Sequence, residues 1–260
     1  LLLREELTQT VRMHRPLSTN DGLIAAGQPL IASVPMRASV SMVTNVEDMI
    51  RSREGEFFPP APGDPSVLYP REDLGVGESY EVLSSVSVAD ETSLREAGTT
   101  YPTWVTPRYL QLPESLPDRV RLLAAELTEG LDNTYDKAKA IESYLRQIPY
   151  SLDIPGPRLG QDGVDYFLFD EQQGYCDYYA SAMVVMLRSV GVPARYVRGY
   201  IHTSSDDGVY QLLESDGHAW PEVYFPGYGW VEFEPTGGRP ALVRRATQDP
   251  AAALSPQIPP

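Results

Sequence analysis

Residues 176–192, "CDYYASAMVVMLRSVGV", constrain the fold more than any other stretch of this chain. Ala180, Ala182, Met183, Val184, Val185, Met186 and Leu187 are apolar on nearly every side of a helix running from about Cys176 to Val190. A helix of that kind is buried on most of its faces. Gly191 and Pro193 supply the stop. Arg188 interrupts the run, which falls short of the roughly 20 apolar residues that a membrane span needs. The first residue of this helix, Cys176, is also the single cysteine of the chain.

Two further helices precede it. "DRVRLLAAELTEG" sets Val120, Leu123, Ala124 and Leu127 on one face and ends at Gly130. "TYDKAKAIESYLRQI" does the same with Ala138, Ile141, Leu145 and Ile148. Both follow the 3.6-residue period. Downstream, "ARYVRGYI", "GVYQLLE", "HAWPEVYF" and "GWVEFEP" read as four strands. Upstream, "LIASVPMRASVSMV" and "SYEVLSSVSVA" alternate as strands do, and the prolines at 59, 60, 62, 65 and 70 mark an extended loop. The opening "LLLREELTQTVRMHR" reads as a short helix or as the leftover of a missing N-terminal part. The division that results is a β-rich region over 1–108, an α+β core over 109–245 and a Pro/Ala-rich linker tail over 246–260.

Composition narrows the function. With 21 basic and 36 acidic residues the net charge is −15, which argues against nucleic acid and anionic membrane surfaces as partners. One cysteine excludes an internal disulfide and a CxxC metal site. His14, His202 and His218 have no metal-ligand spacing, so no metal or cofactor is expected. The chain opens on Leu1 with no visible signal peptide, as a piece of a longer protein would.

The position of the thiol is itself informative. A helix N-terminus carries unpaired N–H groups and a partial positive charge, and both favour a thiolate over a thiol. The same N–H groups can hold an oxyanion that develops beside the sulfur. A small buried hydrophobe is the alternative reading of a lone cysteine. A nucleophilic thiol also needs an imidazole to take and return its proton, and a third group to orient that imidazole. "DGHAWPEVYFPGYGWVEFEPT" holds both, with His218 opening one strand and Glu234 closing the next. Register tests the pairing. A four-residue turn over Pro226–Gly229 puts Glu234 opposite Pro221, on the face away from His218. A three- or five-residue turn, or a bulge, puts it opposite Trp220, diagonal to His218 on the same face. If Glu234 faced away, Asp216 or Glu222 would have to serve.

"GYCDYYASAMVVMLRSVGVPARYVRGY", "HAWPEVYFPGYGW" and "EPTGG", in that order, resemble the transglutaminase-like superfamily, whose core is papain-like. The likeness covers roughly residues 80–245 and is strongest from Tyr166 to Gly237. It is closest to bacterial membrane proteins that carry this domain outside the membrane. The resemblance implies an antiparallel sheet packed on the cysteine-bearing helix, with Cys176 as nucleophile, His218 as general base and Glu234 in a place usually held by aspartate. It implies the Cys176 N–H as first oxyanion donor, with a side chain of Tyr166, Gln172 or Gln173 as second. Trp220, Trp230 and Tyr175 are candidates for a substrate groove, with core packing as the alternative for the tryptophans. Arg195 and Arg198 suit ion pairs with this acidic chain. The activity implied is acyl transfer on protein or peptide carboxamides through a thioester, with an amine or water as acceptor. The setting implied is extracytoplasmic, on a parent protein anchored in the membrane by segments outside this chain. A module that keeps the fold for binding or assembly without turnover is the competing reading.

Overall fold

The computed structural model describes residues 2–39, 67–201 and 208–244. His202, the proline-rich stretch up to residue 66 and the tail from 246 lie outside the described residues. The chain divides into two compact units, Arg4–Ser87 and a second made of Leu1–Leu3 with Val88–Pro260.

The first unit is built of strands. β1 (Arg4–Arg12), β2 (Gln28–Ala32), β3 (Met36–Ser39), β4 (Val67–Pro70) and β5 (Ser79–Ser87) form a three-stranded antiparallel sheet in the order β1-β5-β2 and a separate β3-β4 pair. In β5, Tyr80, Val82 and Ser84 alternate inward, as a half-buried strand should. Met13 and Leu17 join Tyr80 and Val82 in a small core. The Tyr80 hydroxyl accepts the Ile24 N–H at 2.7 Å and donates to the Ile24 carbonyl at 2.8 Å, pinning the loop before β2. Two expectations change here. The opening segment is strand β1, because β5 offers it a full-length partner from Ser87 back to Ser79. The end of the proline-rich loop, Val67–Pro70, is also a strand.

The second unit begins earlier than residue 108. Short helices α1 (Glu91–Arg95) and α2 (Thr106–Tyr109) belong to it, because Leu94 is buried in its main core and Val105 and Tyr109 pack with Tyr224 and Trp230. Next come α3 (Asp118–Leu127), α4 (Thr134–Leu145), α5 (Gly163–Asp165) running into a π-helical turn at Tyr166–Glu171, and α6 (Cys176–Ser189). β6 (Ala194–Tyr200), β7 (Gly217–Phe225) and β8 (Gly229–Glu232) form an antiparallel sheet in that order. Val209–Leu213, read as a strand, is not one; a 3-10 turn over Glu214–Asp216 leads straight into β7.

α6 is the axis of this unit. It packs on β6 and β7 on one side and on α3 and α4 on the other. Tyr179, Ala180, Ala182, Met183, Met186 and Leu187 are wholly buried. Burying a side chain such as Met183 or Leu187 stabilises the fold by about 1.5–3 kcal/mol. Arg188 avoids the apolar interior by donating to the carbonyls of Ala194 and Gln111, each at 2.9 Å. The helix stops as its sequence predicts. Gly191 takes φ +76°, and the Val192 N–H returns to the Leu187 carbonyl at 2.9 Å, a Schellman closure.

Candidate active site

Cys176 opens α6 and is half-buried. Its approach is seated by two main-chain bonds, Gly174 N–H to the Pro149 carbonyl at 3.3 Å and Ser151 N–H to the Gly174 carbonyl at 2.8 Å. Position 174 is crowded, since a Cβ there would stand 3.0 Å from the Phe167 ring and 3.2 Å from the Tyr178 Cβ. Tyr175 is the extended N-cap residue and its side chain makes no capping bond. The first-turn N–H groups and the positive end of the helix therefore lie at the sulfur.

His218 stands on β7 opposite Gly199 and is 4% exposed. Glu234 lies just beyond β8 and is 5% exposed. The turn between β7 and β8 has three residues, since Phe225 pairs with Gly229. The register Glu222–Glu232 runs on through a Phe233 N–H bond to the Pro221 carbonyl at 3.0 Å, which brings Glu234 opposite Trp220. The shifted register is thus the one present, and His218 Nε2 meets Glu234 Oε2 at 2.7 Å. The other Glu234 oxygen accepts the Thr236 N–H at 2.9 Å. Burial, the largest single influence, pushes the His218 imidazole down, but the Cys176 thiol and the Glu234 carboxylate outweigh it and raise its pKa. Burial likewise pushes Glu234 up, and His218 with Thr236 outweighs it and holds the carboxyl below its ordinary range. With Nε2 on Glu234, Nδ1 is the nitrogen left for the thiol; it is buried without a hydrogen-bond partner of ordinary geometry. That looseness is usual before a substrate tightens such a site.

The other carboxylates considered are engaged elsewhere. Glu222 pairs with Arg195 at 2.6 Å, and Asp216 accepts the Leu213 N–H at 2.7 Å. Trp220 lies near-parallel to His218, ring centroids 6.1 Å apart, beside the site. Trp230 is in the core instead, 5% exposed, with Tyr109 and Tyr224 edge-on and the Arg195 guanidinium 4.4 Å over its ring. Tyr175 lines a cleft of about 310 Å³ with Asp177, Tyr178 and Ser181 of α6, against Asp162–Val164. The Tyr166 hydroxyl is committed to the Pro155 carbonyl at 2.9 Å and to Glu171 at 2.7 Å. Gln172 is exposed, in left-handed backbone that ends the π-helical turn, and Gln173 donates to Glu171 at 2.6 Å.

Sequence reasoning did not single out Asp177, Tyr196, Glu142 or Arg146. The Cys176 thiol donates to Asp177 Oδ2 at 3.7 Å, and the Tyr196 hydroxyl donates to the other Asp177 oxygen. Burial first, then that bond, raises the Tyr196 phenol. Glu142 and Arg146 reach the main chain around Glu234 from α4. A signal for Glu142 was present: it sits four residues after Ala138, on the face that the pattern assigns to the core. Among the described residues no group of three or more His, Cys, Asp or Glu side chains forms a metal site. No helix among them is long and apolar enough to cross a membrane.

A sheet packed on a helix that begins with cysteine, with a buried His–Glu pair beside the sulfur, defines a papain-like arrangement. Residues 121–235 match the family model of the transglutaminase-like superfamily. Over 140 residues, half of the chain, it is 47% identical to the uncharacterized protein YebA of Bacillus subtilis. Over 131 residues it is 39% identical to a protein-glutamine gamma-glutamyltransferase of Pseudomonas aeruginosa. These matches span 19% and 20% of the two relatives' lengths. The periplasmic domain of TgpA from Pseudomonas aeruginosa, in its ethylmercury-bound crystal structure, aligns with a TM-score of 0.52 at 33% identity, over 65% of this chain and 59% of that one.

Proposed function

We propose that Cys176, His218 and Glu234 form the catalytic triad of a cysteine-dependent acyltransferase acting on protein or peptide carboxamides. The observation that carries the reading is the buried 2.7 Å bond from His218 Nε2 to Glu234 Oε2, on an imidazole whose other nitrogen is left for the thiol. His218 takes the Cys176 proton as sulfur attacks the carboxamide carbon. The carbonyl oxygen becomes an oxyanion, held by the first-turn N–H of α6. The protonated imidazole then gives its proton to the departing nitrogen, the C–N bond breaks and a thioester remains. An amine or water attacks the thioester, His218 takes the attacking group's proton, and the C–S bond breaks to return the thiolate. An amine acceptor makes the reaction a transglutaminase reaction, and water makes it a peptidase or amidase reaction. The gamma-glutamyltransferase relative supports the first outcome. Likeness to a periplasmic domain supports an extracytoplasmic setting.

One observation favours the second reading, a binding module without turnover: the thiol's hydrogen bond of ordinary geometry goes to Asp177, and its interaction with His218 Nδ1 falls short of one. Alkylation by iodoacetamide across pH separates the two, because Cys176 is the single thiol in the chain. The triad reading expects His218→Ala to slow labelling at neutral pH by tenfold or more, on the order of a general-base contribution of 10²–10⁴. It also expects Cys176→Ala to abolish both incorporation of a fluorescent primary amine into casein and casein hydrolysis. Labelling that ignores His218 would hand the function to the binding module.

A further inference from the structure

Glu142 is 2% exposed on α4, and the chemistry proposed above makes no use of it. One of its oxygens accepts the Glu234 backbone N–H at 3.0 Å, and the other meets the Lys139 ammonium. Arg146, one turn further along the same helix, donates to the Glu234 carbonyl at 2.7 Å. Side chains four residues apart share a helix face, so one face of α4 holds both backbone polar groups of Glu234.

The location explains why a clamp is needed. β8 ends at Glu232, and the last bond of the ladder is that of Phe233 to Pro221. Beyond it the sheet no longer sets the path of the chain. A glutamate side chain has one more torsion than an aspartate, so a small shift of its main chain swings the carboxylate further. Misplacing a reacting group by about 1 Å can cost roughly 100-fold in rate. Glu142 also lies in an apolar stripe, with Ala138, Ile141 and Leu145 fully buried around it. A carboxylate there is costly unless its oxygens are partnered. Both are, and one partner is the main chain of the triad acid.

We propose that Glu142 is a positioning residue for the reaction, fixing the Glu234 main chain so that its carboxylate meets His218 Nε2, with Arg146 as the second point of the clamp. The role rests on the acyl-transfer reading. Glu142 acts through Glu234 and touches no reacting atom.

The test compares Cys176 alkylation rates across pH, and the His218 titration by NMR, in the native chain, Glu142→Met and Glu142→Gln. Methionine keeps the volume and loses the acceptor; glutamine keeps an acceptor oxygen and loses the charge. Glu142→Met is expected to slow alkylation at neutral pH roughly 10- to 100-fold, up to the cost of misplacing a reacting group by about 1 Å. Its His218 titration is expected to move down towards that of Glu234→Gln. Glu142→Gln is expected to stay within about threefold of native, because the acceptor remains. Glu142→Met with lowered thermal stability but native alkylation and native His218 titration would overturn the role. So would Glu142→Gln losing as much as Glu142→Met. If Glu142→Met does not fold, Glu142→Asp replaces it: the shorter carboxylate withdraws the acceptor, and a native rate overturns the role. His218→Ala is run alongside. An unchanged rate there removes the acyl-transfer reading and the positioning role together, whereas a slowed His218→Ala beside a native-like Glu142→Met removes the positioning role alone.

Discussion

His218 and Glu234 meet diagonally across the end of the β7–β8 hairpin, Nε2 to Oε2 at 2.7 Å, because a three-residue turn sets Glu234 opposite Trp220. That register suits a glutamate. Glu234→Gln keeps the shape and removes the charge that stabilises an imidazolium, so alkylation and turnover should fall by about 10²–10⁴-fold, the scale seen when a triad acid is neutralised. Glu234→Asp keeps the charge and withdraws the oxygens, and should fall by less, roughly tenfold. Single-turnover rates for the two variants check the order. Glu234→Asp equal to native would mean that reach does not matter here.

The same pair makes stability depend on pH. The raised His218 pKa contributes stability that is fully present below the ordinary value of 6.5 and is lost as pH rises through the folded value. The lowered Glu234 pKa contributes stability that is present above 4.5 and is lost as pH falls through the folded value. Native protein should therefore exceed Glu234→Gln in urea midpoint most clearly between about pH 4.5 and 6.5, with the margin shrinking on either side. Midpoints measured from pH 3 to 9 in steps of about one unit test this. A margin that keeps growing above pH 8 would contradict it.

Gly199 lies opposite His218, and a Cβ there would come within 2.6 Å of the Trp220 ring. Gly199→Ala must displace Trp220, which lies alongside the imidazole. We expect a shifted tryptophan emission and alkylation slowed by roughly tenfold or more, since a displaced base loses its alignment. Emission that shifts while the rate holds would show that Trp220 does not help to place His218.

Gly237 is held for a different reason. A Cβ there would stand 2.5 Å from the Ile148 carbonyl and 3.1 Å from the Tyr179 hydroxyl, which itself donates to that carbonyl at 2.7 Å. Backbone cannot give way as a side-chain tip can. Gly237→Ala should lose about 1–3 kcal/mol of stability, the cost of overpacking, visible as a lowered thermal midpoint. A midpoint within one degree of native would show that this contact is slack.

Local signals were enough for the three long helices and for the residues of the candidate site, but not for the short α1, α2 and α5 or the π-helical turn at Tyr166–Glu171, which have too few residues to show a period. α3, α4 and α6 each carry a 3.6-residue pattern, and the Gly191 stop is written into three residues. Cys176, His218 and Glu234 were legible because a thiol at a helix start needs partners of two particular kinds. What escaped depends on contacts distant in sequence. β1 pairs with a strand more than 60 residues away, and its exposed residues leave no alternation to read. Val209–Leu213 is rich in residues that favour strands but is not part of the sheet, which has the order β6-β7-β8. Trp230 is a core residue because Val105 and Tyr109, over 100 positions earlier, close over it. The amino-acid sequence by itself determined which long segments, α3, α4 and α6, are helical and which side chains can do chemistry, since period, caps and functional groups are local properties. Only the tertiary structure decided that Glu234 faces His218 and that α4 grips its main chain, because turn length, register and helix docking depend on residues brought together by packing.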